Sequence, residues 1–311
     1  MSVNQISNGK RDGKIRAWVL MVTATLLFAT MSMCVKVVSL EYGTGEMVFY
    51  RGVIGAVSMI LFMRARGVTF RTSLPAMHFW RSLTGVSALG LWFYAIGELP
   101  LSTAVTLNYM APIWMAVLLM GGSVFFRLRR VDARLACTVL AGFAGAACIL
   151  QPAMERDQVW GGLMGLLSGL LTALAYMQIS ALGRAGEPED RVVFYFSVGS
   201  MAGGALETSF FSEWHVHTLQ GVGMLLAIGI LATLAQLLIT RAYGIGSLLV
   251  NGSLQYLGVA WAYLYGVLLF DDPIGGVSLL GMSLIVIAGI AAVVLRPSGA
   301  TTDYVGKASG D

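Results

Sequence analysis

The sequence predicts an all-α polytopic membrane protein, with ten transmembrane helices arranged in two inverted five-helix repeats. Three observations support this prediction: an apolar composition, ten apolar runs long enough to span a bilayer, and matching segments in the two halves of the chain. Of the 311 residues, 57% are hydrophobic and only 12% are charged, and the mean hydropathy is +0.77. Because soluble domains carry about 25% charged residues, this composition indicates a lipid environment.

Apolar runs account for nearly the whole chain. A bilayer core of roughly 30 Å needs about 20 apolar residues to cross it. The first run follows a basic segment, but it is too long for a signal peptide and has no small-residue cleavage site, so we interpret it as a retained helix. The runs, numbered here as spans 1 to 10, are approximately 17–37, 45–63, 77–97, 102–121, 133–151, 160–182, 191–211, 219–240, 247–269 and 275–295.

The distribution of basic residues selects one orientation in the membrane. If the N-terminus is cytoplasmic, most of the 20 Lys and Arg residues fall on the inner side, with clusters at 10–16, 64–81 and 127–134. The connections on the other side are rich in Asp and Glu. Cytoplasmic loops carry the excess of Lys and Arg. The sequence therefore predicts a multi-pass protein of a bacterial-type cell inner (plasma) membrane, with cytoplasmic tails at 1–16 and 298–311.

The two halves of the chain align with an offset of 145 to 147 residues. VFY at 48–50 matches VFY at 193–195, and LNY at 107–109 matches LQY at 254–256. Shared apolar composition is the alternative explanation for such short matches, but several of them occur in order at a nearly constant offset. The matches therefore favour an internal repeat.

Five spans in each repeat make an odd number of crossings, so the second unit must be inverted relative to the first. The sequence places the first unit at 17–152 and the second at 160–297. Inverted repeats are a common construction of secondary transporters, which hold their substrate near the midplane at the repeat interface.

Four segments resemble a known family: FATMSMCVK at 28–36, VFYRGVIGAVSMIL at 48–61, STAVTLNYMAPIWMAVLL at 102–119, and 254–295, which begins LQYLGVAWAYLYG. The chain resembles the EamA-type, ten-helix members of the drug/metabolite transporter superfamily over essentially its whole length. Two departures stand out. Gly258 occupies a position where many relatives have the proline seen at Pro112, and Asp271 with Asp272 replaces a glutamate.

The resemblance implies a secondary transporter of the inner membrane that works by alternating access. It would move a small polar metabolite, an amino acid or a related compound, with export as the favoured direction. Import of a vitamin or nucleoside-like metabolite, such as riboflavin or S-adenosylmethionine, is the alternative within the family. A membrane-embedded enzyme or an assembly scaffold is the alternative from a different class.

Polar residues in spans 4 and 9 predict a cavity between the repeats. Thr106 and Tyr109 share a face of span 4, and Asn108 lies beside that face. Span 9 carries Asn251 and Gln255 in the matching region. Polar groups at membrane depth face other helices or water rather than lipid. Interhelical hydrogen bonds that only stabilise the bundle, at about 0.6 kcal/mol each, are the alternative.

Two cations lie on the predicted outer side, where Lys and Arg are otherwise scarce: Lys36 at the end of span 1 and Arg51 near the start of span 2. Arginine binds a carboxylate or phosphate through two hydrogen bonds, so Arg51 is a candidate for an anionic substrate group. Pairing with an outer acid, or snorkelling to headgroups, is the alternative for both. Aromatic and amide side chains in nearby spans complete the set. The candidate substrate-binding residues are Arg51, Lys36, Tyr94, Thr106, Asn108, Tyr109, Trp114, Tyr176, Gln178, Gln236, Asn251, Gln255, Tyr256 and Trp261.

Signals for an enzyme, metal or cofactor are weak. His215 and His217 form a possible metal pair without a third ligand nearby in sequence, and none of the HExxH, nucleophile-elbow or phosphate-loop motifs occurs. The three cysteines lie within spans, which favours no disulfide framework. We therefore expect a small-molecule substrate and the lipid bilayer as partners, and no catalytic residue, cofactor or nucleic acid. A monomer and a homodimer both remain open, and so does the coupling ion, with Glu207 as a candidate for proton titration.

Overall fold

The computed structural model describes residues 3–125, 158–245, 254–272 and 275–294, together with positions 137, 140–142, 144, 145, 148 and 251. The described residues form helices and short connections, without a strand. The helices are α1 Val3–Val38, α2 Thr44–Ala65, α3 Pro75–Glu98, α4 Leu101–Asn108, α5 Ala111–Phe125, α6 Gln158–Arg184, α7 Glu189–Phe211, α8 Leu219–Ile245, α9 Leu257–Leu269 and α10 Gly276–Val294.

Five stretches of these helices are long and apolar enough to cross a membrane. They are Ala17–Val38, Thr44–Ala65, Leu101–Leu118, Gln158–Arg184 and Leu219–Ile245. The prediction of an all-α polytopic membrane protein is therefore confirmed. Span 5 falls largely outside the described residues, as does the start of span 9.

Two boundaries differ from the prediction. Helix α1 begins at Val3, so most of the predicted N-terminal tail continues the first helix. Span 4 is divided into α4 and α5 by a turn at Tyr109 and Met110. Pro112, the second residue of α5, supplies no N–H to bond back to the Asn108 carbonyl, and this explains the break.

The second repeat breaks at the matching place. Residues Gln255 and Tyr256 form a turn immediately before α9, and Tyr256 is the repeat equivalent of Tyr109. Gly258 follows, and a Cβ there would lie 2.2 Å from Cε2 of Tyr109. Gly258 thus makes room for the Tyr109 ring of the other repeat.

Helix packing follows a pseudo-two-fold pattern. Helix α2 packs against α7, its own repeat equivalent. Helix α1 packs against α8 as α6 packs against α3, and α1 packs against α9 as α6 packs against α4. When the two units are interchanged, the α1–α8 pair becomes the α6–α3 pair, and the α1–α9 pair becomes the α6–α4 pair. This is the arrangement expected of two inverted five-helix repeats.

Glycines permit a close helix crossing between α2 and α7. A Cβ on Gly52 would lie 2.2 Å from the backbone nitrogen of Met201, and one on Gly204 would lie 2.4 Å from that of Phe49. Small residues let the backbones of membrane helices approach each other in this way. The two equivalent helices of the repeats are therefore joined backbone to backbone.

The same C-terminal turn ends α2 and α6. Gly67 and Gly186 adopt positive φ angles of 66° and 81°. The next N–H groups, of Val68 and Glu187, donate to the carbonyls of Met63 and Leu182. This is the Schellman arrangement, in which glycine occupies the left-handed position without steric cost.

The connection from α3 to α4 is held from both repeats. Lys36 Nζ donates to the carbonyls of Gly97 and Leu99, at 3.1 Å and 2.8 Å. The Asp272 carboxylate, from the connection after α9, accepts from the Leu101 N–H at 2.7 Å. Pro100 sits just before α4, where its missing N–H costs little.

Candidate functional site

A central cavity lies where helices of both repeats meet. Residues of α1, α2, α3, α4, α6, α7 and α8 line it, and its volume is about 50 Å³. A single water needs about 10–15 Å³ by this measure. The cavity therefore has room for a few waters but not for a metabolite, and a solute can enter only if the surrounding helices separate.

Arg51 and Arg81 bring two positive charges to this cavity. They are 4% and 3% exposed. Arg51 lies seven residues after the start of α2, and Arg81 six residues after the start of α3, so each is about 10 Å from a helix end. Their guanidinium carbons lie 5.0 Å and 4.1 Å from the centroid of the same Phe196 ring. The two charges therefore meet at one ring inside the bundle.

Neither arginine forms an ion pair with any acid in the described part of the chain. Arg51 Nη1 donates to Ser200 Oγ at 3.3 Å. Nε of Arg51, and both Nε and Nη1 of Arg81, find no hydrogen-bond acceptor among the described residues. A desolvated cation–π contact contributes about 2 kcal/mol, whereas taking an ion out of water costs several kcal/mol. The contacts described here leave the positive charge undercompensated.

Gly85 determines where the Arg81 side chain lies. It follows Arg81 by about one helical turn, and a Cβ on it would lie 1.8 Å from Arg81 Nη1 and 2.9 Å from Phe196 Cε2. The guanidinium thus occupies space that any larger residue at this position would fill. A glycine in a helix costs about 1 kcal/mol relative to alanine, so its presence here needs a packing reason, and the Arg81 side chain supplies one.

Aromatic rings form another part of the cavity wall. Trp92 lies 6.3 Å from Phe28 in an edge-on arrangement and 6.3 Å from Tyr109, between ring centroids. Tyr176 stacks on Tyr243 of α8 with a centroid separation of 4.8 Å. Rings held in this way present fixed apolar faces beside the two cations.

Amide and hydroxyl groups link α4 to α6 at the same level. Asn108 Nδ2 donates to Ser168 Oγ at 3.0 Å and to Thr172 Oγ1 at 3.1 Å. Gly169, between these partners, would bring a Cβ within 2.7 Å of the Leu107 carbonyl. The close approach of α6 therefore covers the backbone groups that the break after α4 leaves exposed.

Five of the predicted substrate-binding residues line the cavity: Arg51, Asn108, Tyr109, Tyr176 and Gln236. Gln255 is next to them, within hydrogen-bonding reach of Tyr176. The structure thus brings together candidates from both repeats.

The remaining candidates lie elsewhere. Thr106 and Asn251 are buried and donate to backbone carbonyls, of Ser102 and Ala242. Gln178 accepts from Thr84 Oγ1 at 2.9 Å, between α6 and α3. The other five lie apart from the cavity. They are Lys36 on the α3–α4 connection, Tyr94 in a groove beside α3, Tyr256 in a groove between α9 and α10, Trp114 half-buried in α5 against the core, and Trp261 half-buried in α9.

Several residues that line the cavity are not among the predicted ones, and three of them bear on its charge: Arg81, Phe196 and Gly85. The charge distribution places Arg81 with the inner basic cluster, but it lies within span 3 and is a charge at membrane depth. Phe196 is the repeat equivalent of Arg51, since each directly follows a VFY segment. Both signals were present in the sequence and could have pointed to the site.

A separate cluster surrounds Glu46 at the predicted outer end. Its carboxylate is fully buried and lies 2.9 Å from His215 Nδ1 and 3.4 Å from His217 Nε2. Glu46, in α2, is thus an acidic neighbour of the two histidines, and the sequence spacing does not reveal it. Even so, the described residues contain no group of three or more His, Cys, Asp or Glu positioned to hold a metal ion.

A wide apolar groove of about 1280 Å³ runs along α3, α6 and α7. Exposed apolar residues such as Phe79 and Leu206 line it, so it lies on the outside of the bundle. Glu207 is at one end, with its Oε2 against Gly45 and without a hydrogen-bond partner in the described structure.

Comparisons with known proteins agree with this fold. Residues 15–151 match the EamA-like transporter family. The pseudopaline exporter CntI of Pseudomonas aeruginosa is 29% identical over 272 residues, which cover 88% of this chain and 94% of the relative. An uncharacterized transporter of Helicobacter pylori is 28% identical over 279 residues, covering 87% and 92%. One solved crystal structure, 20% identical, has the same fold with a TM-score of 0.65 over 91% of this chain and 98% of that one.

Proposed function

We propose that this chain, whose residues 15–151 match the EamA-like transporter family, exports a small polar metabolite, an amino acid or a related compound, by alternating access. It is a multi-pass protein of the inner membrane and a transporter rather than an enzyme. The observation that carries the proposal is the central cavity, where polar and aromatic side chains of both repeats converge beside two interrupted helices.

The interrupted helices supply the site with polar groups at membrane depth. Transporters use discontinuous helices to present backbone groups to a solute near the midplane. Here Asn108 ends α4 and Tyr109 begins the break, and both line the cavity. The corresponding break precedes α9, which packs against α4. A solute between the repeats would thus meet equivalent features of both units.

Alternating access follows from the size of the cavity and from the repeat pattern. The cavity is too small for a metabolite, so one set of helices must move to admit it. The helix contacts made by one unit are repeated by the other with the units exchanged. A cavity that opens towards one side of the membrane can therefore open in the equivalent way towards the other side. The proposal is that the units rock about the glycine-rich α2–α7 contact.

Export is the proposed direction because a relative covering 88% of this chain is named as an exporter. The test is paired intracellular and extracellular metabolite profiling of cells that lack or overproduce the protein. Arg51→Ala is the cavity variant, and Arg66→Ala, which alters a half-exposed side chain far from the cavity, is its control.

The expected result is a solute that accumulates inside cells lacking the protein and outside cells that overproduce it. The Arg51→Ala variant should behave like the deletion, and Arg66→Ala like the wild type. A solute taken up from the medium only when the protein is present would reverse the direction. If no solute is redistributed between cells and medium, the proposal is contradicted.

A further inference from the structure

The central cavity contains cations whose role the fold does not explain. Arg51 and Arg81 are buried on different helices of the first repeat, and both reach the ring of Phe196 in the second. Structural arginines at membrane depth normally pair with an acid or reach the headgroups. Among the described residues these two do neither, since no ion pair joins them to an acid and both are almost fully buried.

Their free hydrogen-bond donors are available for a ligand. Arg51 Nε, Arg81 Nε and Arg81 Nη1 are buried and have no acceptor in the described part of the protein. A guanidinium group offers its N–H donors as a planar fork that matches a carboxylate or a phosphate. Of the other lining groups, Asn108 already donates to two partners, and Trp92 Nε1 is a further buried donor without an acceptor in the described structure. The charged open donors are those of the arginines.

The proximity of the two charges sets the charge of the ligand. Both guanidinium carbons lie within 5.0 Å of the Phe196 centroid, so the cations repel each other in a poorly solvated place. A neutral or singly charged solute would leave at least one cation uncompensated, whereas a dianion would neutralise both. The aromatic faces of Trp92 and Tyr109 fit the carbon skeleton that joins or carries the acidic groups.

We propose that the central cavity binds a small acidic solute with two negative charges, recognised jointly by Arg51 and Arg81. This proposal rests on the proposed function, because it assigns the substrate class of the same cavity. It narrows the polar metabolite to a dianion, either a dicarboxylate, such as an acidic amino acid derivative, or a phosphate monoester. Gly85 takes part indirectly by leaving the space in which Arg81 lies.

The test measures binding to the purified full-length chain by its tryptophan fluorescence, which Trp92 makes sensitive to the cavity. Three probes share one carbon skeleton and differ only in charge: glutarate, its half-amide glutaramate, and the neutral diamide. Glycerol 3-phosphate carries both charges on one group. Ionic strength is held constant, so that screening does not differ between probes.

Affinity should fall by about tenfold or more for each charge that is removed from glutarate, since each loss removes charge-assisted hydrogen bonds. Tighter binding of glycerol 3-phosphate than of glutarate would assign both charges to a single phosphate group. Equal binding of the three skeleton-matched probes, or no binding of any dianion, would overturn the proposal.

Variants locate the binding. Arg51→Gln and Arg81→Gln should each lower the affinity for glutarate to that of glutaramate for the wild type. Arg66→Gln, which removes a half-exposed arginine, should leave it unchanged. Gly85→Ala keeps both charges but displaces Arg81, so it tests the site if an arginine variant fails to fold. Equal affinities in all four variants and the wild type would place the binding elsewhere and contradict the proposal.

The two proposals can fail separately. If profiling identifies an exported solute that is neutral or cationic, export stands and the dianion assignment falls. If glutarate binds through both arginines but no solute is redistributed in cells, the anion site stands and export falls.

Discussion

The guanidinium carbon of Arg81 lies 4.1 Å from the centroid of the Phe196 ring. This contact joins helix α3 of the first repeat to helix α7 of the second, and Arg51 reaches the same ring from α2. Because Phe196 is the repeat equivalent of Arg51, the second unit places an aromatic ring where the first has a cation. The two repeats therefore differ in charge at the cavity, and this difference produces a positively charged site.

A buried, unpaired charge should cost stability in the empty protein. Replacing Arg81 with methionine keeps most of its volume and removes the desolvated charge, so Arg81→Met should stabilise the protein by up to about 4 kcal/mol. The measurement is the melting temperature of the solute-free protein in detergent, which should rise while solute binding is lost.

Arg66→Met is the contrasting variant. Arg66 donates to the buried Asp190 carboxylate at 3.0 Å, so its removal leaves that carboxylate short of a partner and should lower stability by about 1 kcal/mol. A lower melting temperature for Arg81→Met as well would mean that its charge is compensated in the empty protein.

Gly85→Ala should impair the site without unfolding the protein. The new methyl group would lie only 1.8 Å from the present position of Arg81 Nη1, so it would displace the flexible Arg81 side chain. We expect solute affinity to fall at least about tenfold, since a charge-assisted hydrogen bond is worth roughly 1.5–3 kcal/mol. Gly90→Ala on the same helix is the control, because its Cβ would meet nothing within 4 Å. Wild-type affinity in Gly85→Ala would show that the position of Arg81 does not matter.

Gly52→Ala should separate α2 from α7. Its Cβ would lie 2.2 Å from the Met201 backbone nitrogen, which cannot move without the helix. Overpacking of this kind costs about 1–3 kcal/mol. The melting temperature should therefore fall, whereas Gly223→Ala, whose Cβ has open space, should leave it equal or slightly higher. Equal stability of the two variants would argue against the close crossing.

Acid should weaken the connection between α6 and α7. Burial of the Glu187 carboxylate works against its ionisation, but hydrogen bonds from His78, Thr72 and Arg191 outweigh this and hold its pKa below the ordinary value of 4.5. A depressed carboxylate pKa stabilises the fold above the unfolded pKa, and this contribution is lost as pH falls through the folded pKa.

The melting temperature should therefore decline as the pH is lowered below about 4.5, and the decline should be smaller in Glu187→Gln. Glu213→Gln, which changes an exposed carboxylate, should keep the wild-type profile. If the melting temperature of Glu187→Gln depends on pH as that of the wild type does, this carboxylate does not contribute to the acid sensitivity.

Much of the architecture could be predicted from the sequence, because the bilayer imposes strong rules. Apolar length indicates spans, and a proline such as Pro112 is a sequence signal for a break like the one between α4 and α5. In the sequence, Gly258 is only a departure from the family pattern. The Tyr109 ring for which it makes room lies 149 residues away in sequence, and this contact becomes visible only in the folded chain.

The cavity was harder to predict because polarity within a span does not say which way a side chain faces. Thr106 satisfies its hydroxyl on its own helix, and Lys36 satisfies its charge at the α3–α4 connection, so neither lines the cavity. The sequence predicts Arg81 on the inner side, because cytoplasmic segments carry the excess of Lys and Arg. Its long side chain instead lies inside the bundle, where Gly85 leaves it room.

The most direct test of transport through the central cavity is solute movement in proteoliposomes, using the solute that profiling identifies. Wild-type protein and Arg66→Ala should move the solute unchanged across the membrane, whereas Arg51→Ala, folded by its melting temperature, should reduce the initial rate at least about tenfold. Transport by Arg51→Ala at the wild-type rate would contradict the account, because the solute would then cross the protein without using this cavity.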